Sequence, residues 1–298
     1  MRILLIGKNG QIGWELQRAL TGLGEVTATG KQELDLVDPT NIRQIVKDTR
    51  PNLIVNAAAY TAVDKAEEEP DLAMAINGTA PGVLSQEAKK AGAALIHYST
   101  DYVFDGNQTT GAYLEKDAPN PINVYGRTKL AGEQAILKAG IPHLILRTGW
   151  VYGSRGKNFM LTIMKLAKER DELRIVNDQR GAPTWCGAIA DATARIIASL
   201  VGPAEKQFSE NTNKISGVYQ LSCGGETSWY EFAQAFLNHA KETGHAKIIP
   251  IPTSEYPTPA KRPPRSVLSN AKIDRVLGIK MPLWNEALEQ CLERNSSH

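Results

Sequence analysis

The sequence predicts an α/β fold, a doubly wound parallel sheet with a smaller C-terminal lobe, and three observations predict it. Short β-rich runs alternate with helical patterns through the first half, and a glycine-rich turn joins the first strand to the first helix. Beyond Arg147 the alternation breaks into helices separated by loops rich in Gly, Pro and Asn. Alternating strands and helices favour parallel pairing, and right-handed crossovers then place helices on both faces. At 298 residues, 42% hydrophobic and 22% charged, the chain is long enough for a large domain with an added lobe.

Residues 3–6 read as the first strand and 11–20 as the first helix. A second strand at 26–29, a helical stretch at 41–48 and a third strand at 53–56 follow. A long helix at 71–91 leads to a fourth strand at 93–99, and a helix at 124–138 to a fifth at 143–147. Later helices are predicted at 159–169, 188–200 and 229–243. The stretch 250–266 carries six prolines and reads as extended or turning, because each ring fixes φ and removes a donor.

Composition narrows the function. A formal net charge of +2, with basic residues dispersed except at Lys261, Arg262 and Arg265, argues against a nucleic-acid partner. The apolar start of the chain is too short for a signal peptide, and no run approaches the ~20 apolar residues of a membrane span. A cytoplasmic, membrane-free protein is expected. Cys186, Cys223 and Cys291 lie far apart without metal-ligand spacing and read as thiols in a reducing compartment. His97 sits in an apolar run and reads as a packed strand residue.

Gly7-Lys8-Asn9-Gly10-Gln11-Ile12-Gly13 follows the first strand and opens the first helix. Glycines there permit a tight turn and close approach of a pyrophosphate, which the helix N-terminus attracts. The spacing is G-x-x-G-x-x-G, a variant of the dinucleotide fingerprint. It points to a Rossmann-type nucleotide-binding domain over 1–150, with 151–298 mainly a substrate lobe from which some segments return to the sheet. Asn56-Ala57-Ala58-Ala59-Tyr60 ends the third strand, where small side chains suit either a flat cofactor or tight helix packing. The second strand ends at Thr29-Gly30-Lys31 without an acid for a ribose 2′-hydroxyl, and Lys31 favours tolerance of a 2′-phosphate.

Tyr125 and Lys129 stand four apart on a predicted helix and so share a face. A carbonyl reduction needs a proton donor beside the hydride donor, and a lysine lowers the pKa of a phenol near it. His97-Tyr98-Ser99-Thr100-Asp101-Tyr102 leaves the fourth strand at the carboxyl edge, where Thr100 is placed to polarise a carbonyl. Separately each motif is ordinary; in this order they indicate a reductase.

Segments 10–20, 55–67, 97–104, 123–133, 147–152, 177–184 and 256–268 together resemble the extended short-chain dehydrogenases/reductases, and among them the dTDP-4-dehydrorhamnose reductase family. The resemblance implies NADPH- or NADH-dependent reduction of the C4 ketone of a dTDP-sugar, with Thr100, Tyr125 and Lys129 catalytic. It implies an adenine site at Asp35 and Leu36, and cofactor contacts at Ala59, Tyr60, Thr61 and Tyr98. Asp101 and Trp150 would meet the deoxysugar, and Arg262 the nucleotide-sugar diphosphate. It also implies a homodimer bridged by Mg²⁺ through Glu15, with Glu293 a further ligand, although Trp185-Cys186-Gly187 offers no carboxylate where another is expected. A 4,6-dehydratase is disfavoured because Thr100 is followed by Asp101-Tyr102 rather than Asp-Glu. An epimerase on the same fold and a cofactor-binding regulatory subunit are the rival readings, the latter weakened by retention of all three catalytic residues.

Overall fold

Apolar runs buried on both faces build the sheet centre. The computed structural model describes residues 1–202, 207–239 and 246–296. The strands β1 (Arg2–Ile6), β2 (Glu25–Thr29), β3 (Leu53–Asn56), β4 (Ala94–Thr100) and β5 (His143–Thr148) lie within a residue or so of their expected bounds. They pair in parallel, and a sixth strand, Gly217–Gln220, adds to β5 from the second half. The order is β2-β1-β3-β4-β5 and then the sixth strand. The chain leaves β1 towards opposite sides at β2 and β3, so the crevice beyond their carboxyl ends is the natural ligand position.

Alternation along each strand divides the core. Ile3, Leu5, Val55 and Ile96 face the helices Gln11–Ala19 and Cys186–Leu200 through Leu16, Ile189 and Ile196. Leu4, Ile6, Ile54 and Leu95 face the helices Pro39–Thr49, Ala80–Ala91 and Val124–Ala139 through Ile42, Leu84 and Ile136. A third cluster, around Tyr152, Met160, Trp185, Phe232 and Leu288, belongs to the second half. Short parallel pairs, Glu172–Val176 with Lys247–Ile251 and Val151–Tyr152 with Thr184–Trp185, brace it.

The long helix expected at 71–91 is interrupted. An α-helix at Pro70–Met74 passes into a π-helical turn at Ala75–Thr79 before Ala80–Ala91 resumes. Pro81 has no N–H to donate to Asn77, and the released Asn77 carbonyl projects so close to Gly132 that a Cβ there would overlap it. Helices Val63–Glu68 and Trp284–Ser296 were not expected, whereas Phe159–Glu169 was. Of the helix expected at 229–243, Trp229–His239 is present, and 240–243 lie outside the described residues. Among the described residues no helix is long and apolar enough to cross a membrane.

Candidate active site

Two glycines of the first turn are forced by packing. Gly7 has φ +93°, and a Cβ there would lie 2.8 Å from the Ala58 nitrogen. A Cβ on Gly13 would overlap the Gly7 carbonyl. Gly10 is different: its φ is −75°, and its missing side chain leaves the backbone open rather than relieving a clash with β3. The helix it begins has no side-chain cap and no acid in its first turn, which leaves its leading amides and dipole for an outside anion. Behind them, Gln11 Oε1 accepts from Asn158 Nδ2 at 2.9 Å and Ile12 packs into the core.

At the end of β2 the structure adds an acid that sequence reading missed. Glu33 Oε2 accepts the Gly30 N–H at 2.8 Å, and Oε1 pairs with Lys8 Nζ at 2.6 Å. The Lys8 ammonium, then the Gly30 amide, hold the Glu33 carboxyl below its usual range. The strand end that reads as lacking an acid thus has one three residues later; a side chain at Gly30 itself would crowd Asn9 and Glu33. Lys31 is exposed beside it. Asp35 Oδ1 accepts the Val37 N–H at 3.0 Å, and Leu36 is buried against the sheet.

The segment after β3 abuts the glycine turn. Ala58 and Ala59 are half-buried and Thr61 is exposed. Asn77 clamps the Tyr60 backbone, accepting its N–H at 2.8 Å and donating to its carbonyl at 3.0 Å. Tyr98 reaches the site through its backbone: its carbonyl accepts Lys129 Nζ at 2.6 Å, while its hydroxyl meets Thr193 Oγ1 at 2.7 Å in the core.

Thr100, Tyr125 and Lys129 converge at the carboxyl edge of β4. Asn123 caps the Val124–Ala139 helix through the Gly126 N–H at 2.8 Å, which fixes where Tyr125 starts. The Tyr125 hydroxyl lies beside Thr100, and Thr100 Oγ1 donates to Asp101 Oδ1 at 2.9 Å. Burial pushes the Tyr125 phenol up to about 12, Asp101 adds to the rise, and Thr100 opposes it. Lys129 is not among the groups that act on the phenol directly. Lys129 is 1% exposed and turned to Tyr98 O and His97 Nε2, and burial pushes it down to about 8 against the pull of Glu133. Below lies a buried pair unseen in the sequence: Arg147 donates to Glu133 at 2.9 and 2.6 Å, and Ser99 Oγ donates to it at 2.5 Å.

Next to Thr100, Asp101 is fully buried, with Oδ2 unpartnered. It closes a narrow crevice with Gly149, Trp150, Ser222 and Ser266. Trp150 has φ +51°; its ring stacks on Trp229 with centroids 3.5 Å apart, and its five-membered-ring side lies close to Gly181. Arg262 donates to Asp64 at 2.7 Å and to the Ala260 carbonyl at 2.9 Å.

Burial pushes Asp101 up to about 6 from an ordinary 3.8, with its hydrogen bonds opposing. The folded state therefore binds more protons than the unfolded chain between those pH values, and stability falls as pH rises through the window. Asp101→Asn is expected to be more stable than the parent at pH 8, by about 2–3 kcal/mol before lost hydrogen bonds are counted, with no such gain near pH 3.5. Melting curves at both pH values check this; an equal effect at the two would show that the carboxylate is not held out of water.

The magnesium expectation does not fit. Glu15 is 3% exposed, and its Oε2 receives Arg294 Nη1 at 3.0 Å and Arg18 Nε at 3.4 Å. Two guanidiniums already neutralise this carboxylate, and a divalent cation would meet like charge. Among the described residues no group of three or more His, Cys, Asp or Glu is placed to hold a metal. Glu15 is a buried ion-pair residue, not a solvated one.

A family model described as the RmlD substrate binding domain matches residues 1–297. A dTDP-4-dehydrorhamnose reductase of Burkholderia thailandensis is 46% identical over 298 residues, covering 98% of each chain. One from Escherichia coli K12 is 44% identical over 300 residues, covering 98% of this chain and 97% of its own. A crystal structure of a dTDP-4-dehydrorhamnose reductase from Bacillus anthracis in complex with NADP superposes with a TM-score of 0.89 at 34% identity, covering 98% of this chain and 99% of its own. A UDP-glucose 4-epimerase of Thermus thermophilus, at 20% identity and a TM-score of 0.76, shares the fold. With a family model over residues 1–297 and relatives matched over nearly their full length, the chain belongs to the dTDP-4-dehydrorhamnose reductase family.

Proposed function

We propose that the protein reduces the C4 ketone of dTDP-4-dehydro-L-rhamnose to dTDP-L-rhamnose with NADPH or NADH, a step towards cell-surface polysaccharide. The observation that carries this reading is Tyr125, beside Thr100 and one turn from buried Lys129, at the sheet edge that also bears the glycine turn. In this reading the glycine turn with Gln11 and Ile12 holds the pyrophosphate. Lys31, Asp35 and Leu36 meet the adenosine end, and Ala58, Ala59, Tyr60 and Thr61 meet the rest of the cofactor, with Tyr98 contributing through its backbone. The bound nicotinamide supplies the hydride. Tyr125 gives its proton to the C4 oxygen, Thr100 orients that oxygen, and Lys129 as an ammonium stabilises the phenolate left behind. Asp101, Trp150 and Arg262 belong to the sugar-nucleotide side. The division into a nucleotide-binding domain over 1–150 and a substrate lobe beyond is part of this reading. So is a cytoplasmic setting, supported by three buried free thiols.

Incubating the purified protein with NADPH and the keto-sugar tests the proposal. Loss of NADPH absorbance with formation of the 6-deoxysugar nucleotide is expected; cofactor binding without turnover would overturn it. Glu33 gives a prediction on cofactor choice. Its carboxylate sits beside Lys8 at the end of β2, where a 2′-phosphate would meet negative charge. Glu33→Gln should shift the NADPH-to-NADH ratio of kcat/KM towards NADPH by roughly three- to tenfold. An unchanged ratio would place Glu33 outside the cofactor's reach.

A further inference from the structure

Hydrogen-bond polarity beneath Lys129 is fixed from one end. The Ala58 N–H can only donate, and Asn56 Oδ1 accepts it at 3.2 Å. The same amide therefore turns its NH₂ towards His97 Nδ1, 3.1 Å away across the β3–β4 pairing. Nδ1 must accept, so a neutral imidazole carries its proton on Nε2. Nε2 lies 3.2 Å from Lys129 Nζ, which also donates to the Tyr98 carbonyl at 2.6 Å. Against an ammonium, the Nε2 proton would set donor against donor. Against a neutral amine it finds a lone pair, and every member of the chain is then satisfied. Asn56, His97 and Lys129 are each 1% exposed, so no bulk water relieves a mismatch.

We propose that Asn56 and His97 are positioning residues that hold Lys129 as a neutral amine in the free protein and gate its conversion to the ammonium. Conversion takes up one proton from solvent. Nζ gains it, the imidazole stays neutral with its proton moved from Nε2 to Nδ1, and the Asn56 amide turns so that Oδ1 accepts from Nδ1, which breaks the bond from Ala58. The surroundings offer little else to compensate. Glu133, on the helix of Lys129, is neutralised by Arg147 of β5 and bonded by Ser99 of β4. β3 and β4 present only uncharged Asn56, His97 and a backbone carbonyl, and Tyr125 lies one turn back on the same helix. Burial lowers the affinity of both His97 and Lys129 for a proton, which works in the same direction as the hydrogen-bond polarity. The consequence for Tyr125 rests on the reductase reading; the hydrogen-bond polarity does not.

Nitrogen NMR of His97 in the labelled free protein at about pH 9, above the range in which Lys129 takes up its proton, is the first test. The proposal expects a bare Nδ1 and a protonated Nε2, and the opposite tautomer overturns it. The second is Asn56→Asp, whose carboxylate can only accept and so draws the proton to Nδ1, leaving Nε2 to accept from an ammonium. The alkaline limb of kcat/KM, which reports free-enzyme groups, is expected to move up by at least about one pH unit. KM for the cofactor should stay within about threefold. A folded Asn56→Asp protein with its tautomer reversed and its limb unmoved overturns the gating. Should the variant fail to fold, the His97 tautomer of the parent still decides. Failure of the reductase reading would show as absent turnover with the NMR result intact.

Discussion

Tyr125→Phe is expected to lower kcat by at least about a hundredfold, the low end of what a positioned general acid supplies. The variant keeps the ring, its edge-to-face contact with Tyr102 at 5.8 Å, and the helix that carries it, and removes one hydroxyl. Thr100 keeps its hydrogen bonds to Asp101 and the Tyr102 amide. Cofactor affinity and melting temperature should therefore change little, and the loss should fall on kcat. Steady-state kinetics with cofactor titration on one preparation check it; turnover within about tenfold of the parent would remove Tyr125 from the proton-donor role. The pH dependence sharpens the point. Burial raises the phenol to about 12 while Lys129 sits near 8, so turnover should decline as pH rises past the lysine, well before the phenol itself ionises. The sign follows from Lys129 being needed as a cation to make Tyr125 acidic.

The features legible in the sequence are those whose cause is local. β3 was read to the residue because Leu53–Asn56 is a short apolar run between breakers, and the glycine turn because close approach admits few residues. Thr100 and Tyr125 were legible because strand-end position and helix spacing bring them to one edge. Features fixed by distant partners were not. Glu15 reads as a surface helix residue until Arg294, from the last helix, is folded over it. The sixth strand is four residues opening on Gly217, too short and too weakly patterned to stand out, and β5 recruits it by pairing. The π-helical turn needed both Pro81 and the nearness of Gly132. The lowered acidity of Tyr125 could not be read from Y-x-x-x-K, since spacing says nothing of burial or of Lys129 being engaged by His97 and Tyr98. Trp150 shows the same limit: strand-end alternation says which way a ring points, but the stack on Trp229 depends on a helix in the other half of the chain.

Arg147→Met is expected to be the most damaging change to stability, for a reason rooted in the same neighbourhood. Glu133 and Arg147 are 1% and 3% exposed, and their paired bonds lie directly beneath the catalytic edge. Such a pair gains little net energy over apolar packing, because desolvation of two charges offsets most of their attraction. Breaking it is a different matter: without the guanidinium, Glu133 keeps only the Ser99 hydroxyl and the influence of Lys129, in a place water does not reach. The single substitution should cost about 3–5 kcal/mol. The double variant Glu133→Leu/Arg147→Met removes both charges and should recover most of that loss, so the two effects are strongly non-additive. Denaturant unfolding of the parent, both single variants and the double variant measures the coupling directly. Additive losses would mean that Glu133 finds solvent or another cation when Arg147 is gone. Activity should not follow stability in this series: with Glu133 absent, Lys129 loses the one carboxylate that favours its ammonium, so the folded double variant should show its alkaline limb shifted to lower pH.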